Sequence, residues 1–186
     1  MANTTSHYTF YLIGDGGVGK TSYLQRLTTG HYLQINHNNN QNIEHNVIYD
    51  ASFNTNYGRK NITFVEMNNC NNFDCDGVIF MFDKTKMNTL NNIEKIMEEH
   101  SQYIDNFVLC GNKSDLKNQC LSPDSNLKNY PNISKKNNYY DISVRSLNNF
   151  EKPILSLLQQ IQTNNNINGN NLIFIPNHIN AADFLV

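Results

Sequence analysis

Apolar residues along this chain come in short dense runs, and the runs alternate with segments of helical spacing. Tyr8-Thr9-Phe10-Tyr11-Leu12-Ile13 is apolar, aromatic and β-branched, the make-up of a buried strand. Thr21 to Leu27 comes next, with Leu24 and Leu27 spaced as on one face of a helix. His45 to Phe53 predicts a second strand, Asn54 to Gly58 a turn, and Asn61 to Glu66 an alternating strand that pairs back as a hairpin. Gly77 to Asp83 holds an uninterrupted apolar run, as expected of a central parallel strand covered on both faces. Residues 89–104 place Leu90, Ile93, Ile96, Met97 and Ile104 on one side of a helix. Phe107 to Gly111 is a further buried strand, 117–136 a polar loop containing Pro123 and Pro131, and Tyr139 to Ser143 a last strand. Pro153 suits the first turn of a helix that buries Ile154, Leu157, Leu158 and Ile161. Strands alternating with helices predict an α/β fold, a mostly parallel six-stranded sheet with helices on both faces. Ligands of such sheets bind at the carboxyl ends of the strands.

Composition changes this picture little. The 186 residues suit one domain, placed at 1–163, with an Asn-rich linker and short tail over 164–186. The chain contains 35 asparagines, clustered at 36–46, 68–72 and 164–171, and this residue favours turns over element interiors, so the clusters mark loops. A net charge of −2 gives no steering towards nucleic acid or membrane. Cys70, Cys75, Cys110 and Cys120 form no CxxC pair and read as reduced thiols of an intracellular protein. The longest apolar stretch, Val78 to Phe82, is too short to span a bilayer. The closing residues Asp183 to Val186 hold no cysteine for a prenyl group, and Met1-Ala2 excludes myristoylation. A monomer is expected.

Between the first strand and the first helix, Gly14 to Thr21 reads Gly-Asp-Gly-Gly-Val-Gly-Lys-Thr. It fills every fixed position of the phosphate-binding loop G-x-x-x-x-G-K-[ST]. The glycines let backbone N–H groups of Asp15, Gly16, Gly17, Val18 and Gly19 turn inward on a phosphate chain, and the new helix adds its own unpaired donors through Thr21 and Ser22. Lys20 reaches the β- and γ-phosphates in such loops, and the Thr21 hydroxyl ligates Mg²⁺. The fold expected is therefore a P-loop NTPase domain.

Asn112-Lys113-Ser114-Asp115 comes directly after a buried strand. Asp115 offers two acceptor oxygens to a ring N1–H and an exocyclic amine, a pair that guanine carries and adenine does not. The stem of Lys113 can cover the base face, and the Asn112 amide can tie this loop to the phosphate loop. Ser143-Val144-Arg145, at the end of the last strand, is placed for a backbone N–H to meet the guanine carbonyl.

With these motifs the chain resembles the Ras superfamily of small GTPases, and within it the Ran family. The similar stretches are Gly14–Thr21, Val108–Asp115, Tyr139–Ser143 and Ser146–Pro153, the last two in the Ran manner. The resemblance covers most of residues 8–175. It implies GTP and GDP binding with Mg²⁺, slow GTP hydrolysis, and a nuclear or cytoplasmic role in transport with karyopherin-type receptors or GTPase regulators as partners. A hydrolysis-deficient module that mimics Ran towards such partners is the alternative.

The chain departs from the family where the nucleotide state is sensed. Residues 31–51 hold no Thr or Ser to stand in for the first-switch threonine, and Asn39 takes its place as a poorer Mg²⁺ ligand. The D-x-x-G-Gln segment of the family corresponds here to Glu66-Met67-Asn68-Asn69-Cys70. Glu66 can hold Mg²⁺ through water, whereas Cys70 cannot orient a water as Gln does, and no Gln occurs between Glu66 and Phe82. The strand beginning at Gly77 leaves almost no room for a second-switch helix. Lys135 and Lys136 match a basic stretch of Ran, although paired loop lysines are usually plain surface. Intrinsic hydrolysis in Ras-type proteins is already only about 10⁻⁴ s⁻¹, and a slower rate is expected here.

Overall fold

A computed structural model describes residues 5–31, 47–69, 72–119, 138–164 and 172–174. The chain runs β1 (Ser6–Ile13), α1 (Lys20–Thr29), β2 (Val47–Thr55), β3 (Gly58–Met67), β4 (Gly77–Asp83), α2 (Met87–His100), a 3₁₀ turn (Ser101–Tyr103), β5 (Phe107–Asn112), β6 (Tyr139–Asp141) and α3 (Lys152–Asn164). The six strands form one sheet in the order β2-β3-β1-β4-β5-β6. Only β2 runs antiparallel to its neighbour, in the hairpin with β3. The predicted α/β architecture is the observed one.

Alternation along the strands sorts the core into two layers, because successive side chains point to opposite faces. Ile79 and Met81 of β4 pack with Phe10, Leu12 and Phe64 beneath Tyr23 and Leu24 of α1 and Ile154, Leu157 and Leu158 of α3. Val78, Phe80 and Phe82 face the other way, onto Leu90, Ile93 and Met97 of α2. Every residue of β4 and of β5 is buried, which explains why these strands read as unbroken apolar runs.

Several element ends differ from the sequence reading, each for a local reason. The helix predicted over 89–104 spans Met87–His100 and tightens into the 3₁₀ turn, so Ile104 is buried from the loop beyond it. The last strand stops at Asp141, two residues early: Ile142 N–H still reaches Gly111 O at 2.9 Å, but Ser143 N–H turns to Asn148 O at 3.1 Å. The hairpin is longer than expected, turning only at Asn56 and Tyr57. Most of the polar loop predicted over 117–136 lies outside the described residues.

Between β3 and β4, residues 72–76 contain no helix. Phe73 drops its ring into the α2 layer, 5.3 Å from the His100 ring, and Asp76 closes the segment by accepting the Thr9 N–H at 2.7 Å. Beyond α3, Leu172 enters the core and Phe174 stacks on Phe53 with ring centroids 5.0 Å apart, while bridging to Thr55. No helix among the described residues is long and apolar enough to cross a membrane.

Candidate nucleotide site

The chain leaves β1 for β2 and β3 on one side and returns on the other side for β4. This is the topological switch point at which doubly wound sheets open a crevice at the carboxyl ends of their strands. Gly14 to Gly19 fills that position. A Cβ at Gly14 would collide with the Met81 carbonyl, so only glycine lets the loop lie on β4. Gly19 caps α1 at φ 106° and brings no side-chain cap to its first turn. The leading N–H groups of α1 therefore face the crevice as anion donors. Gly16 and the positive-φ Gly17 form the exposed crown of the loop, Val18 is buried beneath it, and Ser22 lies in the first turn of α1.

Lys20 is 4% exposed, and its ammonium donates to Gly14 O at 2.7 Å, Asp15 O at 3.0 Å and Asn68 Oδ1 at 3.0 Å. Burial lowers its pKa, while the nearby charges of Glu66 and Asp15 act in the opposite sense. The Asp15 carboxylate accepts from Asn92 Nδ2 at 2.8 Å, joining the phosphate loop to α2.

Thr21 Oγ1 donates to Glu66 Oε1 at 2.7 Å, and Glu66 Oε2 is buried without a hydrogen-bond partner among the described residues. A hydroxyl beside a carboxylate with an unsatisfied buried oxygen fits a hard divalent cation. Mg²⁺ typically takes one or two such protein ligands and completes its shell with phosphates and water. Asn39 and Cys70, the other two positions singled out for Mg²⁺ and water, lie outside the described residues, as do Lys135 and Lys136.

The base-reading segment meets the phosphate loop directly. Asn112 Nδ2 donates to Val18 O at 2.8 Å, and its Oδ1 accepts the Val144 N–H at 3.2 Å. One amide thus ties three loops together, and a Cβ at Gly19 would collide with it. Lys113, at φ 66°, sends its ammonium to Gly17 O at 2.9 Å and Asp83 Oδ2 at 2.6 Å, so its stem spans the gap between base loop and phosphate loop. Asp115 Oδ1 accepts from the buried Ser143 Oγ at 2.7 Å.

The segment Ser143–Arg145 is narrowed by this geometry. Ser143 N–H goes to Asn148 O and Val144 N–H to Asn112 Oδ1, so of the three only Arg145 keeps its N–H outside the described hydrogen bonds. Arg26 holds the segment from below, donating to Val144 O at 2.5 Å and Arg145 O at 2.8 Å.

Four supporting residues escaped the sequence reading: Asn68, Asp83, Asn92 and Arg26. Only Asp83 left a signal, a carboxylate closing an otherwise apolar strand. It is 1% exposed, and its Oδ1 accepts from Thr85 N at 2.9 Å and Thr85 Oγ1 at 2.7 Å. Burial pushes the Asp83 carboxyl up, but the hydrogen bonds and charge of Lys113 and Thr85 outweigh it and hold the group below its ordinary 3.8. A depressed carboxyl pKa gives stability that is complete well above the unfolded value and is lost as pH falls through the folded one. The Lys113–Asp83 anchor is therefore expected to persist at neutral pH and fail below pH 3.8. Thermal unfolding of Asp83→Asn beside the wild type checks this. The gap in Tm should be widest near neutrality and shrink in acid; a gap that ignores pH would count against the ion pair as its source.

Two cavities of about 320 and 380 Å³ among the described residues lie at the amino ends of β4 and β5, around Asp105, Asn106 and Asn164, and touch none of these groups. The polar convergence just described marks the nucleotide crevice better than enclosed volume does. A model of the Ras family matches residues 9–163, which span β1 to α3 and include both loops. The chain belongs to the Ras family of GTP-binding small GTPases.

Proposed function

We propose that the protein binds GDP and GTP with Mg²⁺ and hydrolyses GTP more slowly than is usual in its family. The observation that supports this reading most is the union of the two loops through Asn112 and Lys113, which sets a base reader at a fixed distance from a phosphate cradle. In this reading the backbone of residues 15–19 and the ammonium of Lys20 hold the phosphates. Asp115 accepts from the guanine N1–H and amine, the Lys113 stem covers the ring, and the Arg145 N–H meets the carbonyl. Thr21 ligates Mg²⁺ directly, Glu66 holds it through water, and Asn39 is a poorer third contributor. Held by these residues, Mg²⁺ would supply positive charge against the phosphates.

The slow rate has its source in the segment just beyond Glu66. Cys70 stands where the family carries its water-orienting Gln, and a thiol is too weak a hydrogen-bond partner for that task. Single-turnover release of phosphate from GTP is expected below about 10⁻⁴ s⁻¹. A rate tenfold above that would show that another group orients the water. Denaturing the freshly purified protein and separating the released nucleotide by ion exchange tests the reading as a whole. Stoichiometric GDP or GTP is expected; ATP, or no nucleotide, would overturn it.

Retention of GTP over days would favour a second reading, a binding module that uses nucleotide as a structural ligand. The missing Gln supports it, as does the absence of a helix over residues 72–76. In either case the Ran-like segments Tyr139–Ser143 and Ser146–Pro153 support a nuclear or cytoplasmic role with transport receptors or GTPase regulators.

A further inference from the structure

We infer that Arg26 sets how strictly this site reads the guanine carbonyl, by fixing the one peptide unit whose N–H meets it. This role rests on the nucleotide reading given above and adds a positioning residue to it.

A trans peptide unit is planar, and its C=O and N–H point in opposite directions. The carbonyl of Val144 and the N–H of Arg145 are the two ends of one such unit. Arg26 donates from a single guanidinium nitrogen to Val144 O at 2.5 Å and to Arg145 O at 2.8 Å. The first bond holds the carbonyl end of the unit towards α1, so the Arg145 N–H is turned away from that helix. A charged donor on the carbonyl also polarises the unit and strengthens the N–H at its far end. The second bond holds the next unit, whose own N–H, on Ser146, closes on Ser143 Oγ at 3.0 Å. The plane carrying the Arg145 N–H is thus held from both sides.

The same segment touches the base reader. Ser143 Oγ donates to Asp115 Oδ1 at 2.7 Å, which sets the Val144–Arg145 unit beside the carboxylate. On guanine the carbonyl is the neighbour of the N1–H along one edge. A base held by Asp115 therefore presents its carbonyl to this unit.

The path of the loop does not depend on Arg26. Ser143 N–H reaches Asn148 O at 3.1 Å, Asn149 Nδ2 reaches Asp141 O at 2.8 Å, and Tyr23 Oη reaches Phe150 O at 3.0 Å. Loss of the guanidinium loosens one peptide plane and leaves the loop in place. The helix that holds this plane is also the one that carries Lys20 and Thr21 in its first turn, so phosphate cradle and carbonyl reader share one rigid support.

The test is a competition titration against a fluorescent GDP analogue in Mg²⁺ buffer. The competitors are GDP and a GDP analogue with sulfur in place of the base carbonyl oxygen. Sulfur is a weak acceptor, and the analogue keeps the N1–H and amine that Asp115 reads. Wild type is compared with Arg26→Met, which keeps an unbranched stem without donors, and with Arg26→Ala; melting transitions show which variants are folded. Wild type is expected to favour GDP over the analogue by about five- to tenfold, the scale of one hydrogen bond. That ratio should fall by more than about twofold in the variants, through weaker binding of GDP with the analogue little changed. An arginine that only braces the fold would weaken both ligands alike. A ratio unchanged within about twofold in folded variants therefore overturns the inference, and so does a wild-type ratio within about twofold of one, which needs no variant. In both cases tight GDP binding leaves the rest of the nucleotide reading standing. Failure of folded wild type to bind either guanine nucleotide would overturn both.

Discussion

Replacing Lys20 by alanine is expected to abolish nucleotide binding, with a loss of at least about a thousandfold in affinity for GDP and for GTP. The size of the effect comes from burial. At 4% exposure the ammonium works in a setting where water screens it little, so its attraction for phosphate is far larger than that of a surface lysine. Truncation also strips a donor from the Gly14 and Asp15 carbonyls, which then present negative ends towards an incoming anion. The protein should still fold, since the loop lies on β4 through Gly14 rather than through Lys20. Titration with a fluorescent GDP analogue, beside a circular-dichroism melt, checks the result. Wild-type affinity in a folded variant would remove the phosphate-loop assignment.

Asp115→Asn should be nearly as damaging, and selective. The carboxylate presents acceptors only, and guanine offers it two N–H groups. An amide turns one acceptor into a donor that faces a donor. Each hydrogen bond to a charged group contributes about 1.5–3 kcal/mol; the change removes one, strips the charge from the other and leaves two donors opposed, which together predict a fall of about 10²–10⁴ in GDP affinity. Xanthosine diphosphate carries a carbonyl in place of the amine and should bind the variant better than it binds wild type. Competition by the two diphosphates reads both changes. Unaltered GDP affinity would mean that Asp115 does not read the base, and an ATP preference would point instead to a P-loop kinase or ATPase. Ser143, whose hydroxyl already bonds Asp115 Oδ1, keeps the changed side chain in place, so the effect is one of chemistry rather than of position.

Where one residue type serves one physical purpose, the sequence was legible. Gly14–Thr21 and Asn112–Asp115 are short, local and tied to backbone geometry, and both segments lie where their spacing placed them. The strands β4 and β5 were equally plain because burial on both faces leaves no polar interruption. Partnership across the fold could not be read. Asn92 sits 77 positions from Asp15, and Arg26 lies 118 from the Val144 carbonyl it holds. Nothing in local pattern marks an asparagine or arginine for such a contact. Asn68 was hidden for another reason: among so many loop asparagines, one that reaches a buried lysine looks like the rest. Strand and helix ends shifted by a few residues wherever a turn borrowed the last hydrogen bond, as at Ile142 and Ser143.

The contact between Phe174 and the β2–β3 hairpin also bears on the order in which this molecule folds. Thr55 and Phe174 are 119 positions apart, and the bridge between them closes a loop of nearly two thirds of the chain. Such a closure costs chain entropy that only the surrounding contacts can repay, so it forms after them and not before. The central strands can collapse around β4 while Phe53 remains open to solvent. The hairpin's outer face is completed last, by residues from the far side of α3. A folding chain therefore passes through a stage in which its nucleotide loops are built and one edge of its sheet still awaits its cover.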